Sequence, residues 1–181
     1  SAATEVVFLT LNPGGAVHRP DHPSVSSEVG SAYFIESWGD TNAPGQSKLQ
    51  IQVQSLYHYL GVNPDDVLSG QLVPFRSPTW QCLPRKKESL RIGISVWRRV
   101  IEHVKPGLIV AMGKTILRPS LHEILGHPLA TKKISVDWGN VTATADTYEG
   151  TRLVILPHLS RFCIMTREAS RPAIEKLLCE R

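Results

Sequence analysis

The chain has 181 residues, a formal net charge of +4 at pH 7 and 41% hydrophobic residues, which suffices for one domain with a buried core. No segment approaches the roughly 20 consecutive apolar residues that cross a bilayer, and the first residues lack the basic segment and apolar run of a signal peptide. We therefore expect no membrane partner and a cytoplasmic location. The positive charge is consistent with a polyanionic partner, and equally with a basic surface that binds no such partner.

An apolar, β-rich run at residues 5–11 predicts a buried strand that ends in the tight turn Asn-Pro-Gly-Gly at residues 12–15. Residues 16–46 are rich in Pro, Gly, Ser and Asp, a composition typical of functional or disordered loops. Apolar residues at 32–35 and Trp38 indicate that this loop folds over a site. A helix is predicted next, ended by Gly61; its apolar positions are Leu49, Val53, Leu56, Tyr57 and Leu60.

The middle of the chain predicts strand, helix and strand in turn. Leu72 and Val73 form a short strand ending in Pro-Phe-Arg-Ser-Pro at residues 74–78. Apolar residues at helical spacing from 90 to 104 predict an amphipathic helix closed by Pro106. The continuous apolar run at residues 108–112 is typical of a strand covered on both faces.

The last third predicts one broken helix, two strands and a final helix. The turn at Gly113 leads into a helix that breaks near Pro119 and Gly126. Residues 141–148 and 152–156 have the pattern of strands. Residues 167–180 predict a C-terminal helix whose inward positions are Ile174, Leu177 and Leu178.

Strands that alternate with helices predict one α/β domain over residues 1–181, a three-layer α/β/α sandwich with a mostly parallel central sheet. We expect it to be a monomer. Ligands of such sheets bind beyond the carboxyl ends of the strands. Polar turns at residues 12–14, 75–78 and 158–162 follow three predicted strands, so we expect them to form one site.

The chemistry of the remaining polar residues argues against a metal centre. The seven histidines are dispersed, without a His-x-x-x-His pair or paired carboxylates near them. Cys82, Cys163 and Cys179 form neither a Cys-x-x-Cys pair nor a disulfide framework, which indicates free thiols in a reducing compartment. We expect no metal and no cofactor.

Three segments carry a resemblance to a known superfamily. Residues 11–15, Leu-Asn-Pro-Gly-Gly, resemble the strand-end motif Gly-x-Asn-Pro-Gly of mismatch-specific and single-strand-selective uracil-DNA glycosylases. Residues 157–160, Pro-His-Leu-Ser, resemble their second motif, typically His-Pro-Ser. Residues 109–114, Ile-Val-Ala-Met-Gly-Lys, are similar to the central strand and glycine turn of the same superfamily. Motif order and spacing agree over nearly the whole chain, which implies the fold of that superfamily and a DNA glycosylase activity.

The resemblance implies two catalytic residues. Hydrolysis of an N-glycosidic bond builds positive charge on the sugar and negative charge on the departing base, and the base must first be flipped into a pocket. Asn12 would position the attacking water through its amide, and His158 would hydrogen-bond the carbonyl oxygen of the base. From the residues alone, Asn12 also has an alternative interpretation, as a turn asparagine whose side chain caps its own backbone.

The base pocket is predicted from the second strand and the loop. Superfamily members read the base edge with an asparagine, and the equivalent position here holds Gln71, which has the same donor and acceptor on a longer arm. Phe75, Tyr33 or Phe34 is expected to stack on the base face, although each is also suited to the core.

The remaining predicted contacts are to DNA. Ser160 would bind a phosphate beside the flipped nucleotide, and the amides of the turn at Gly14 could do the same. Arg76 suits a phosphate or a buried carboxylate. Phe162 or Arg161 would fill the space that the base leaves, with a core position as the alternative for Phe162.

Together these features predict a monofunctional DNA glycosylase that removes uracil or another damaged or modified base from DNA in a bacterial-type cytoplasm. The prediction that the enzyme is monofunctional rests on the three turns, which contain no lysine, although Lys114 borders the central one. Thr10 and Leu159 depart from the two motifs and indicate a separate branch. Two alternatives stay open: a non-catalytic nucleic-acid or nucleobase binder on the same fold, and an N-ribosyl hydrolase of free nucleotides.

Overall fold

The computed structural model describes residues 6–14, 30–38 and 43–178. Within them, six strands form one sheet in the order β2-β1-β3-β6-β5-β4. Neighbouring strands among β2, β1, β3 and β6 are parallel, whereas β5 is antiparallel to both β6 and β4. The strands are β1 (Val6–Thr10), β2 (Leu68–Gln71), β3 (Leu108–Met112), β4 (Ala130–Trp138), β5 (Val141–Thr147) and β6 (Arg152–Leu156).

Helices cover both faces of the sheet, because the central strands are apolar on both sides. Phe8 and Val110 face one buried cluster, which includes side chains of α1, α2 and α5. Leu9 and Ile109 face the other, which includes α3 and α4. The helices are α1 (Ala32–Ile35), α2 (Lys48–Leu60), α3 (Lys86–Val104), α4 (Lys114–Leu125) and α5 (Arg171–Leu178). The predicted three-layer α/β/α sandwich is confirmed.

The helix predicted before Gly61 is α2, and its ends follow from local chemistry. The side chains of Ser47 and Gln50 form a reciprocal capping box at its start. Gly61 has a φ of 63°, the left-handed conformation that glycine adopts without steric cost, and ends the helix.

The strand prediction needs two corrections. The second strand is β2, at residues 68–71, and not at Leu72 and Val73. The amides of Leu72 and Val73 still donate to the carbonyls of Thr10 and Leu11, but the chain bends there and buries both side chains. Strand β4 was not predicted, because it lies at the edge of the sheet and most of its side chains are exposed and polar.

Two helix predictions also need correction. α4 does not break at Pro119 but continues to Leu125, since burial of Leu117 and Leu121 offsets the single backbone hydrogen bond that proline forgoes. The last helix begins at Arg171, after a turn of 3₁₀ helix, and buries Ile174, Leu177 and Leu178 as predicted. None of the described helices is long and apolar enough to cross a membrane.

Candidate active site

The carboxyl ends of four parallel strands, β1, β2, β3 and β6, lie at the same end of the sheet, and this end is here called the rim. Strand register puts Leu9, Ala111 and Ile155 side by side in one row. Asn12 is three residues beyond Leu9, and His158 is three residues beyond Ile155. Because β1 and β6 are two strand spacings apart, their backbones are about 10 Å from each other. Both predicted catalytic residues therefore start from the same level of the rim, on either side of β3.

Asn12 is held by the turns that follow β1 and β2. Its amide Nδ2 donates to the carbonyl oxygens of Pro13 (3.1 Å) and Ser77 (3.4 Å). The backbone amide of Ser77 donates to Pro13 in return, at 3.1 Å. These bonds fix the amide nitrogen toward the backbone, and no described residue donates to the carboxamide oxygen. Ser77 had no role in the sequence prediction, because only the pairing of β1 with β2 brings it beside Asn12.

Arg76 ties the same two turns together from the exposed side. Its Nη1 donates to the carbonyl oxygen of Gly14 at 2.5 Å, and the residue is exposed. A single carbonyl leaves the other guanidinium donors available, so Arg76 combines a structural contact with an accessible positive charge.

His158 follows β6 in a turn that its own carbonyl closes, by accepting from the amides of Arg161 and Phe162 at 2.9 and 3.0 Å. Its Nδ1 lies 2.8 Å from Oγ of Ser160. Although His158 as a whole is exposed, partial burial of its ring, and then the positive charge of Arg161, lower its pKa below the ordinary value. The imidazole is consequently neutral at pH 7 and carries one N–H.

The hydrogen bond between His158 and Ser160 constrains what each can do. A neutral imidazole has one donor and one acceptor nitrogen, and a serine hydroxyl has one hydrogen. If the Ser160 hydroxyl donates to Nδ1, Nε2 carries the imidazole hydrogen and can donate to a ligand. If Nδ1 donates to Ser160, the hydroxyl is free to donate to a phosphate, and Nε2 is an acceptor.

Of the predicted base-binding residues, two line a cavity beside β2 and one lies in the turn after that strand. Gln71, at the exposed end of β2, and Tyr33 line an open cavity of about 490 Å³ along the outer edge of that strand, together with Trp38 and Ser69. That volume is in the range of small-molecule sites. Asn12 and His158 are not among its lining residues. Phe75, in the turn after β2, is 42% exposed.

Two of the predicted stacking aromatics belong mainly to the core. Tyr33 is 7% exposed and meets the rings of Phe8 and Trp38 edge-on at 5.6 and 5.2 Å. Phe34 stacks on Tyr57 at 6.2 Å. Phe75 is therefore the most accessible of the three predicted stacking rings.

Arg161 and Phe162 differ in the same way. Phe162 packs edge-on against Trp138 of β4 at 6.1 Å and is half-buried. Arg161 is exposed, with its guanidinium carbon 6.0 Å from the centre of the Phe162 ring. The arginine is thus the more accessible of the two residues predicted to enter the DNA.

Within residues 6–14, 30–38 and 43–178, no cluster of three or more His, Cys, Asp or Glu side chains has the geometry of a metal site. Cys82 and Cys163 are free thiols. Cys179, Gly15 of the first predicted turn, and residues 16–29 and 39–42 of the predicted loop lie outside the described parts of the chain.

Comparison with known proteins gives one family. The model of the uracil DNA glycosylase superfamily matches residues 1–180 of the chain. A search of curated proteins finds no match. The family match spans all four strand ends that form the rim.

Proposed function

The chain belongs to the uracil DNA glycosylase superfamily, and on that premise we propose that it is a monofunctional DNA glycosylase acting through Asn12 and His158. Its substrate is DNA with a uracil or another damaged or modified base, and its products are the free base and an abasic site. The shared level of Asn12 and His158 on either side of β3 is the observation that supports this most directly. A nucleotide placed over the end of β3 lies between them.

Asn12 acts on the sugar side of the bond. Its amide nitrogen is held by the carbonyls of Pro13 and Ser77, so its carboxamide oxygen accepts a hydrogen bond from the attacking water. A carboxamide orients water but is a poor proton acceptor. The reaction therefore depends strongly on the quality of the leaving base, and it favours bases whose anions are stable.

His158 acts on the base side. With the Ser160 hydroxyl donating to Nδ1, the Nε2–H donates to the base oxygen on which negative charge develops. Ser160 then meets the flanking phosphate with its backbone amide rather than its hydroxyl, because the hydroxyl hydrogen is engaged. The lowered pKa of His158 keeps this arrangement in place at neutral pH.

The base and the DNA strand are held by residues around the rim. Phe75, the most exposed of the three aromatics, stacks on the base face, and Gln71 reads its edge with a two-point amide contact; Tyr33 and Phe34 support the pocket from the core. Arg76 and the turn at Gly14 contact phosphates. Arg161 fills the space vacated by the base, backed by Phe162. No metal or cofactor takes part, and the protein acts as a monomer on the DNA of a bacterial-type cytoplasm.

The test is base release from end-labelled oligonucleotides that carry uracil, a mismatched thymine, hypoxanthine, ethenocytosine or modified cytosines. We expect alkali-dependent strand cleavage at one of these bases, and a loss of about 100-fold or more in Asn12→Ala, within the range that a water-activating residue contributes. Asn140→Ala is the matched control, since Asn140 is an exposed turn residue between β4 and β5. Borohydride should trap no covalent complex, because a monofunctional enzyme forms no Schiff base through Lys114.

Three results would contradict the proposal. Strand cleavage without alkali, or a borohydride-trapped complex, would make the enzyme bifunctional. Full activity in Asn12→Ala would remove its water-positioning role. Binding to one of the oligonucleotides without base release at high enzyme excess would favour a non-catalytic binder on the same fold.

A further inference from the structure

A short segment after β2 contains most of the net charge of the chain. Residues 85–91, Arg-Lys-Lys-Glu-Ser-Leu-Arg, have four basic residues and one acidic residue, a net charge of +3, compared with +4 for all 181 residues. Arg85 precedes α3, and the other six residues form its first turns. The four basic residues, Arg85, Lys86, Lys87 and Arg91, are called the basic shelf below.

Contacts of α3 with β2 determine where the shelf lies. The indole of Trp97 donates to the carbonyl of Gln71 at 2.8 Å. One turn earlier, Gly93 lies against the backbone just past the strand, so closely that a Cβ there would be 2.0 Å from the Leu72 carbonyl oxygen. α3 therefore crosses β2 at the level of the rim.

The direction of α3 places the shelf on the site side of the rim. From Gly93 the helix runs to Val104 and leads into the start of β3, which lies at the end of the sheet opposite the rim. Residues 86–92 run the other way and, at a rise of about 1.5 Å per residue, extend about 10 Å beyond the rim. A DNA strand that delivers a nucleotide to the rim meets this part of the helix.

The charges of the shelf are mostly uncompensated. Glu88 lies 3.5 Å from Arg85 in an exposed ion pair, which contributes little. Among the described residues, none of the acidic side chains pairs with Lys86, Lys87 or Arg91. Lys87 and Arg91 are exposed and, four residues apart, lie on the same side of the helix.

We propose that the basic shelf binds the phosphate backbone of the DNA that flanks the flipped nucleotide, several nucleotides from the site. This rests on the proposed function for the identity of the partner. Flexible lysine and arginine side chains that project beyond a rim suit the phosphates of any sequence. The shelf therefore contributes affinity for DNA without contributing to the choice of base.

Counterion release makes this measurable. Each phosphate neutralised by a basic side chain adds about 0.9 to the slope of log affinity against log salt. The triple variant Lys86→Gln, Lys87→Gln, Arg91→Gln should thus reduce that slope by about 2 to 3 and weaken binding about 10- to 100-fold at 0.1 M salt. Lys86→Arg, Lys87→Arg, Arg91→Lys keeps the charges and should bind as the wild type does.

The experiment measures binding to a labelled 25-base-pair duplex that carries a stable abasic-site analogue, between 0.05 and 0.3 M salt. The matched control removes three positive charges elsewhere, at the exposed Arg99, Lys133 and Lys176, and should leave slope and affinity nearly unchanged. Equal losses in the two triple variants would show a general charge effect and overturn the proposal. An unchanged slope in the shelf variant, or no wild-type binding at low salt, would also overturn it.

Failure of the glycosylase proposal would look different. Base release would then be absent from the whole panel of oligonucleotides, while the shelf variant would still lose affinity and salt slope. Conversely, if base release is observed but the salt slope does not depend on the basic shelf, the glycosylase proposal stands and the proposal for the shelf fails.

Discussion

The ring of His158 is controlled by two neighbours within three residues of it. Ser160 bonds Nδ1 at 2.8 Å, and Arg161 places a positive charge nearby that lowers the pKa of the imidazole, after the larger effect of burial. Arg161 favours the neutral ring, and Ser160 engages one of its two nitrogens. In the proposed mechanism the Ser160 hydroxyl donates to Nδ1, so the neutral ring has its hydrogen on Nε2.

Replacing Arg161 should raise the pKa of His158. In Arg161→Gln the repulsive charge is gone, but burial remains, so the pKa should rise and yet stay below the ordinary value of about 6.5. In the proposed mechanism base release uses the neutral ring, so we expect the rate to fall as pH drops through this pKa, and the fall to begin at higher pH in the variant. NMR titration of the imidazole checks the shift, with Arg167→Gln as control. An unchanged pKa would exclude the contribution of Arg161.

At the scale of elements, α3 is fitted to β2 by two glycines. A Cβ on Gly70 would be 2.7 Å from the Trp97 ring, and one on Gly93 would be 2.0 Å from the Leu72 carbonyl oxygen. Both residues allow the helix to approach the strand more closely than a side chain permits. The same approach fixes the backbone at Leu72 and Val73, which begin the turn whose Ser77 carbonyl accepts from Asn12.

Gly93→Ala should accordingly disturb stability and activity together. The backbone carbonyl cannot yield as a side chain can, so α3 must shift, at a cost of about 1–3 kcal/mol in the free energy of unfolding. Urea unfolding and base release measure the two effects. Ser95→Ala, an exposed change on the same helix, should leave both within error. A fully stable and active Gly93→Ala would show that the contact is looser than the structure indicates.

At the scale of the whole molecule, a buried carboxylate joins α4 to the antiparallel part of the sheet. Asp146 on β5 is fully buried and accepts four hydrogen bonds. Arg118 donates two at 2.8 Å, Thr131 of β4 donates one at 2.6 Å, and His122 donates one at 2.9 Å. Burial alone would raise the pKa of Asp146, but these bonds outweigh it and lower the pKa to about 2.

This linkage predicts a specific acid sensitivity. The folded pKa of about 2 lies below the unfolded value of about 4, so Asp146 contributes about 2 kcal/mol above pH 4, which is lost as pH falls toward 2. Asp146→Asn should lower the free energy of unfolding at pH 7 by about 3 kcal/mol, and its difference from the wild type should shrink below pH 4. Asp137→Asn, at an exposed ion pair, is the control. Urea unfolding at pH 7, 4 and 2.5 would contradict the linkage if the difference stayed constant.

The apolar pattern predicted the parts of the fold in which burial and periodicity coincide. β1, β3 and β6 are buried runs, and α2 and α3 have apolar residues at helical spacing, so each element was recognisable from its own residues. β4 was not, because an exposed edge strand needs no apolar pattern. Pro119 predicted a break that does not occur, because the packing of Leu117 and Leu121 outweighs one missing backbone bond.

In the candidate site, too, local sequence patterns identified some residues, whereas other contacts depend on tertiary packing. Asn12, Arg76 and His158 were identified from short motifs at predicted strand ends, and the contact of His158 with Ser160 spans only two residues. The sequence by itself thus determined the family, the parallel sheet and the polar turns, since these depend on neighbours along the chain. Only the tertiary structure decided the Ser77 contact of Asn12, the three residues that donate to Asp146 and the height of the basic shelf above the rim. Those depend on strand order and helix packing, which bring together residues that are 15 to 65 positions apart.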